Sequence, residues 1–211
     1  MVQSEINTNL YNSLLVYGQK FPTNLYINPQ KVMKGLETFS QEWKPYNPRK
    51  KIAREGLSVT SLDGGLSGIP DLDSIREYCV KHQVILGEDS FNQETPVANI
   101  VRTYLDPFKG YVGRSHFIRM EKGGHFPPHR DDVKASVNNM RLFVPIKNCN
   151  PPKTFFMLER EPLYFDHGRG YFINTCMEHT LFSCYPSLFL VMNIGVNQET
   201  VQTLLNNMQW K

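Results

Sequence analysis

The chain has 211 residues, 40% of them hydrophobic and 20% charged, with a net charge of +3. That composition suits a soluble globular protein of one domain, and the charge is too small to mark a nucleic-acid partner. No run approaches the roughly 18 apolar residues of a membrane span, the first residues MVQSEINTNLYNSLLV lack the basic and apolar segments of a leader, and four cysteines without CxxC spacing fit neither a zinc knuckle nor a disulfide scaffold.

These exclusions predict a cytoplasmic protein with reduced thiols, without nucleic-acid or membrane partners. Thirteen Phe, ten Tyr and two Trp favour strand-rich packing or an aromatic-lined pocket. The sequence divides into a mostly helical part over residues 1–111, a strand-rich part over 112–196 and a closing helix over 197–211.

In chain order, NPQKVMKGLETFSQEW (28–43) predicts a helix, with Asn28 as cap, Pro29 in the first turn, and Val32, Met33, Leu36 and Phe39 on one face. KPYNPRKKIAR (44–54) reads as a solvated basic loop and SLDGGLSGIPD (61–71) as a Gly-rich one. Two more helices are expected over 71–83 and 96–108. From residue 112 short β-rich runs recur between turn signals: 114–121, 140–146, 154–160, 162–165, 171–175, 179–184 and 187–194. Seven such runs point to a sandwich or barrel. The tail NQETVQTLLNNMQW (197–210) closes the chain as a helix, with Val201, Leu204 and Leu205 on one side.

The stretch GGHFPPHRDD (123–132) carries the chemistry. In extended chain residues i and i+2 point the same way, so His129 and Asp131 can offer an imidazole and a carboxylate to one point. A second histidine on another strand completes a 2-His-1-carboxylate triad, and His179 begins the run HTLFSC. Such a triad leaves positions open on one face of iron(II). Pro127 and Pro128 prevent a helix, so His125 and His129 do not form an i, i+4 pair. Asp132 faces the other side of an extended chain from Asp131. His116 and His167 have core or turn roles on this reading, and His82 sits at a helix end.

The runs SHFIRMEKGGHFPPHRDD, MRLFVPIKN, TFFMLE, GRGYFINTCMEHTLFS and LFLVMNI, in that order over roughly residues 112–195, resemble the aspartyl/asparaginyl β-hydroxylase-like branch of the iron(II)/2-oxoglutarate-dependent dioxygenases. The resemblance implies a mainly β fold with flanking α elements, a double-stranded β-helix (jelly roll, cupin-like) with N-terminal helices packed on the outer sheet. It implies iron(II) held by His129, Asp131 and His179, with 2-oxoglutarate and O2 as co-substrates, and a hydroxylase acting on a C–H bond of an amino acid, peptide side chain or other small molecule.

One departure stands out: the family commonly has an Arg about ten residues after the second histidine, and Phe189 occupies that position. The far carboxylate of 2-oxoglutarate needs a cation. The resemblance makes Arg141 the first candidate anchor, with Arg119 and Thr180 behind it, and Lys147 or Ser183 as further alternatives. Arg54, with Ser58, resembles a strand and loop beside the pocket, and His125 is expected at its entrance, both as substrate contacts. The competing reading is a non-catalytic jelly-roll protein that binds a metal or ligand and has lost the usual anchor.

Overall fold

The computed structural model describes residues 2–209. In chain order its elements are α1 (Val2–Leu15), β1 (Lys20–Tyr26), α2 (Pro29–Glu37), β2 (Lys44–Pro45), β3 (Arg54–Ser58), β4 (Thr60–Ser61), α3 (Leu72–His82), β5 (Gln93–Glu94), α4 (Arg102–Leu105), β6 (His116–Met120), β7 (His125–His129), α5 (Val133–Asn138), β8 (Asn139–Lys147), β9 (Thr154–Leu158), β10 (Glu161–Pro162), β11 (Arg169–Ile173), β12 (His179–Ser183), β13 (Ser187–Gly195) and α6 (Gln198–Asn206). A seven-stranded sheet runs β1-β11-β8-β13-β6-β3-β2 and a four-stranded sheet β10-β9-β12-β7, with β4 and β5 forming a separate ribbon. From β6 onward the chain alternates between the two antiparallel sheets, with the β9–β10 pair entering the small sheet together. That is the strand order of a double-stranded β-helix, the expected fold.

Alternation along each strand of the large sheet builds two cores. Phe117, Leu142, Val144, Phe172, Leu190 and Met192 face outward and join Tyr11 and Leu14 of α1, Val32 and Leu36 of α2, and Val201 and Leu204 of α6. Ile118, Phe143, Tyr171, Ile173, Phe189 and Val191 face inward and meet Phe156 and Leu181 of the small sheet. Helices therefore cover one face of the large sheet while the small sheet covers the other.

The Asn28 side chain accepts from the amides of Gln30 and Lys31, capping α2 as expected. The helix stops at Glu37, and Phe39, Ser40 and Glu42 continue in turns whose amides reach back three residues. Over 96–108 the helix is broken into a 3-10 turn, the short α4 and a second 3-10 turn, the last containing Pro107, which has no amide to donate.

The first 111 residues differ most from expectation. Besides helices they supply three strands to the large sheet, β1 at one end and β3 and β2 at the other. KFPTNLY in β1 alternates, with Phe21, Thr23 and Leu25 buried, a pattern that the central Pro22 obscures in the sequence. The helix α1 and the short α5 have no counterpart among the expected elements. In the basic segment Arg49 pairs with Glu77 and Asp71, and Arg54 is buried, so it is less solvated than a free loop. The run PLYF contributes only Pro162 to a strand, and the tail helix ends at Asn206, with Trp210 and Lys211 outside the described residues. All four cysteines are free, and among the described residues no helix is long and apolar enough to cross a membrane.

Phe172 is fully buried and stacks on Phe21 at 4.8 Å. Phe172→Ala should lower the unfolding free energy by about 3–5 kcal/mol in urea titrations. Tyr164→Ala, at a 62% exposed residue, should change it by no more than about 0.5 kcal/mol.

Candidate metal centre

GGHFPPHRDD folds as a turn, a bulged strand, a ligand-bearing corner and a helix cap. Gly123 adopts a φ of +85°, which favours glycine, and Gly124 packs against the Ala53 carbonyl with no room for a side chain. The turn exchanges two backbone hydrogen bonds with Ser183, Gly123 N to Ser183 O at 2.8 Å and Ser183 N to Gly124 O at 2.9 Å. This fixes the start of β7 against the end of β12.

Along the pair, Phe182 faces His125, Leu181 faces Phe126 and His179 faces His129. Two residues on β12 thus match three on β7, and the extra residue is a bulge at Pro127-Pro128, where a missing amide costs no ladder bond. The bulge changes the parity of the strand, so Phe126 and His129 both line the interior cavity.

Beyond the strand, Asp131 N donates to Thr175 O at 2.9 Å, tying the carboxylate-bearing residue to the end of the GYFINT run. Asp132 instead caps α5, its Oδ1 accepting from Ala135 N at 3.0 Å.

One ligand atom from each of His129, Asp131 and His179 falls within 4.8 Å of the others, and no other trio of His, Cys, Asp or Glu does so among the described residues. The two rings are 4.2 Å apart between centroids. His129 Nδ1 lies 2.7 Å from Pro127 O, and His179 Nδ1 lies 3.0 Å from Met177 O. A carbonyl can only accept, so each Nδ1 carries a proton, and in the neutral ring each Nε2 keeps its lone pair. That is the tautomer a metal ligand needs. Burial lowers the pKa of His179 below the ordinary histidine value and keeps its ring neutral.

Burial alone would raise the Asp131 carboxyl, but the Arg141 guanidinium, followed by the Thr175 side chain, holds it below the usual range. Arg141 Nε stands 3.0 Å from Asp131 Oδ2, close enough for an ion pair but out of line for a hydrogen bond. Oδ2 is therefore committed to that ion pair, while Oδ1 lies 3.8 Å from His129 Nε2 and faces the trio. Arg141 Nη2 also meets Glu88 Oε1 at 3.1 Å, and Glu88 Oε2 lies 3.4 Å from Arg114. Asp131, Arg141, Glu88 and Arg114 form a chain of alternating charge.

The cavity in front of the trio has a volume of about 110 Å³. Of the residues anticipated from sequence, it brings together His129, Asp131, His179 and Arg141, with Phe189 in its wall. Arg119 lies elsewhere, paired with Glu55 and stacked over Trp43, because odd-numbered residues of β6 face away from the small sheet. Thr180 donates to Phe126 O at 2.7 Å and does not line the cavity, being one step out of phase with His179 and Leu181. Lys147 is exposed, and Ser183 is spent on Thr154, Tyr185 and Ser187.

Neither Arg54 nor His125 lines this cavity. Arg54 Nη1 donates to His125 O at 2.6 Å and its guanidinium lies over Phe126, which makes it a clamp on β7. His125 Nδ1 meets Gly123 O at 3.0 Å. His167 accepts from Cys149 N, a turn role as expected.

Two residues that sequence reasoning passed over, Arg114 and Glu88, and one that it assigned to a core or turn role, His116, sit around the cavity or its charge chain. For His116 the signal was strand parity, since it alternates in phase with the inward Ile118. Glu88 belongs to a 3-10 turn far upstream and carries no such signal.

Comparison with protein-family models and with curated proteins finds no match. Among solved structures, a Pseudomonas putida prolyl-4-hydroxylase is similar at 10% identity and a TM-score of 0.49, covering 90% of this chain and 99% of that one. A Trichoplax adhaerens prolyl hydroxylase in complex with a hypoxia inducible factor peptide fragment has the same identity and TM-score, covering 96% of each chain. A RmlC-like cupin from Desulfovibrio desulfuricans has a TM-score of 0.31 at 11% identity, over 38% of this chain and 70% of that one.

Titration with Co(II), followed by its visible spectrum, should show one site in the unaltered protein. His129→Ala, Asp131→Ala or His179→Ala should each weaken it by about a hundredfold or more, and His125→Ala by less than about threefold.

Proposed function

We propose that this protein is an iron(II)- and 2-oxoglutarate-dependent dioxygenase that hydroxylates a C–H bond of an amino acid, a peptide side chain or another small molecule. The observation that carries the reading is the trio of His129, Asp131 and His179, with both Nδ1 atoms tied to backbone carbonyls and Asp131 Oδ1 3.8 Å from His129 Nε2. Two imidazoles and one carboxylate are the donor set suited to iron(II) with open positions. The order of sequence parts resembles the aspartyl/asparaginyl β-hydroxylase-like branch, which supports this reading.

Bound to this trio, iron(II) with 2-oxoglutarate would supply the O2-dependent chemistry, releasing succinate and carbon dioxide as a C–H bond is hydroxylated. The protein's own contributions are orientation, charge and dryness. Pro127 O and Met177 O hold the two rings in one tautomer. Arg141 keeps Asp131 ionised and limits its rotation from one side, while Thr175 O fixes its backbone from the other. Phe143, Phe156, Phe189 and Val191 give the inner wall an apolar surface that excludes water.

A second reading, a metal- or ligand-binding jelly roll without turnover, is favoured by one feature. Phe189 is buried in edge-to-face contact with Phe156 and Phe165, where the resemblance expects a cation. Adding 2-oxoglutarate to the iron(II) protein without oxygen separates the two. The dioxygenase reading predicts a weak visible charge-transfer band and, once air is admitted with a turnover substrate or uncoupled, succinate that disappears in Asp131→Ala. Tight iron binding with neither band nor succinate would favour the second reading.

A further inference from the structure

Beside the metal cavity lies a larger one of about 640 Å³, and Arg114 and His116 are the two residues that line both. Its floor includes Ser58 and Thr60, and its roof is α3, which presents Tyr78 and Lys81 to it and buries none of its own residues. His116 is 2% exposed and Arg114 3% exposed, yet neither ring nitrogen of His116 nor Nε of Arg114 has a hydrogen-bond partner. Buried polar atoms left unpaired are rare and costly. Here three such atoms stand at one junction.

The rest of Arg114 is committed: Nη1 donates to Pro70 O at 2.6 Å and Nη2 faces Glu88 at 3.4 Å. These bonds hold the guanidinium in place. Burial, with Arg114 and Arg141 nearby, keeps the His116 ring neutral, so it has one N–H to offer. The inner wall around Phe189 is apolar, and among the cations lining the two cavities Arg114 is the one that reaches both.

We propose that Arg114 and His116 form a carboxylate-binding point where the two cavities meet, with Arg114 Nε–H and one His116 ring N–H donating to the same carboxylate. The carboxylate can arrive from the smaller cavity, as the far end of a dicarboxylate chelated at the metal, a source that rests on the dioxygenase reading. It can also arrive from the larger cavity, as part of a ligand lying under α3. The recognition chemistry is shared, and its origin is a matter for measurement.

The test compares the unaltered protein with His116→Leu and Arg114→Lys by calorimetry, using 2-oxoglutarate and 2-oxobutanoate on the Zn(II)-loaded protein and glutarate on the metal-free protein. Because the His116 ring makes no hydrogen bond within the protein, His116→Leu should melt at or above the wild-type temperature, which keeps the test open should Arg114→Lys fail to fold. If the co-substrate supplies the carboxylate, 2-oxoglutarate binds about tenfold or more tightly than 2-oxobutanoate, and His116→Leu abolishes that difference. If a ligand of the larger cavity supplies it, glutarate binds without metal and weakens about tenfold in His116→Leu. A folded His116→Leu with all affinities unchanged, or a wild-type protein that takes neither dicarboxylate, overturns the proposal. Loss of Zn(II) binding in the unaltered protein would instead sink the metal reading and leave the glutarate comparison standing.

Discussion

The pairing of His129 with His179 across β7 and β12 is the contact on which the site depends. It needs a strand that enters in register at the Gly-Gly turn and leaves it out of phase at the two prolines. A regular β7 that placed Phe126 inside would send His129 to the outer face of the small sheet, three residues along and on the wrong side. The bulge corrects the parity, and the prolines make the bulge easy to form because neither has an amide to pair. Asp131 then reaches the same point from just beyond the strand, held by the Thr175 carbonyl and faced by Arg141. Local backbone geometry therefore does most of the positioning, and the side chains add tautomer and charge.

Much of this was legible in the sequence. The spacing of His129 and Asp131 and the strand run that opens with His179 identified the trio, and the succession of short β-rich runs pointed to a sandwich or barrel, which the family resemblance narrowed to a jelly roll. Less legible was which face each cation occupies. Arg119 and Arg141 look equivalent as strand residues, but Arg119 shares its phase with the outward Phe117 and Arg141 with the inward Phe143. Phase can be read only once the core face of each strand is known. Glu88 and Arg114 lay out of reach for another reason: their roles come from contacts between segments remote in sequence, with no periodic pattern behind them. The β1 strand was hidden by Pro22, which reads as a break until the strand is seen to lie at the end of the sheet.

The charge chain from Asp131 through Arg141 and Glu88 to Arg114 has consequences for how the site is built. Two carboxylates and two guanidinium groups cancel, so the buried group is neutral as a whole although each member is charged. Buried ion pairs of this kind rarely add net stability, because desolvation offsets attraction, but removing one member leaves another charge uncompensated. They do fix geometry. A divalent cation at the trio would disturb this balance by two charges, and a dianionic ligand beside it would restore it.

Strand order also determines what the two sheets can do at their borders. The large sheet ends in β1 and β2, the small one in β10 and β7, and each of the four contains proline: Pro22, Pro45, Pro162 and the pair Pro127 and Pro128. Two of these border strands have only two residues, and β1 is further covered by residues 207–209, through Asn24 N to Asn207 O and Gln209 N to Pro22 O. An exposed strand with free amides is a template on which another chain can be laid down. With all four borders interrupted, neither sheet offers such a template. The arrangement hinders edge-to-edge aggregation, and an extended polypeptide laid along any of these borders meets an interrupted backbone ladder.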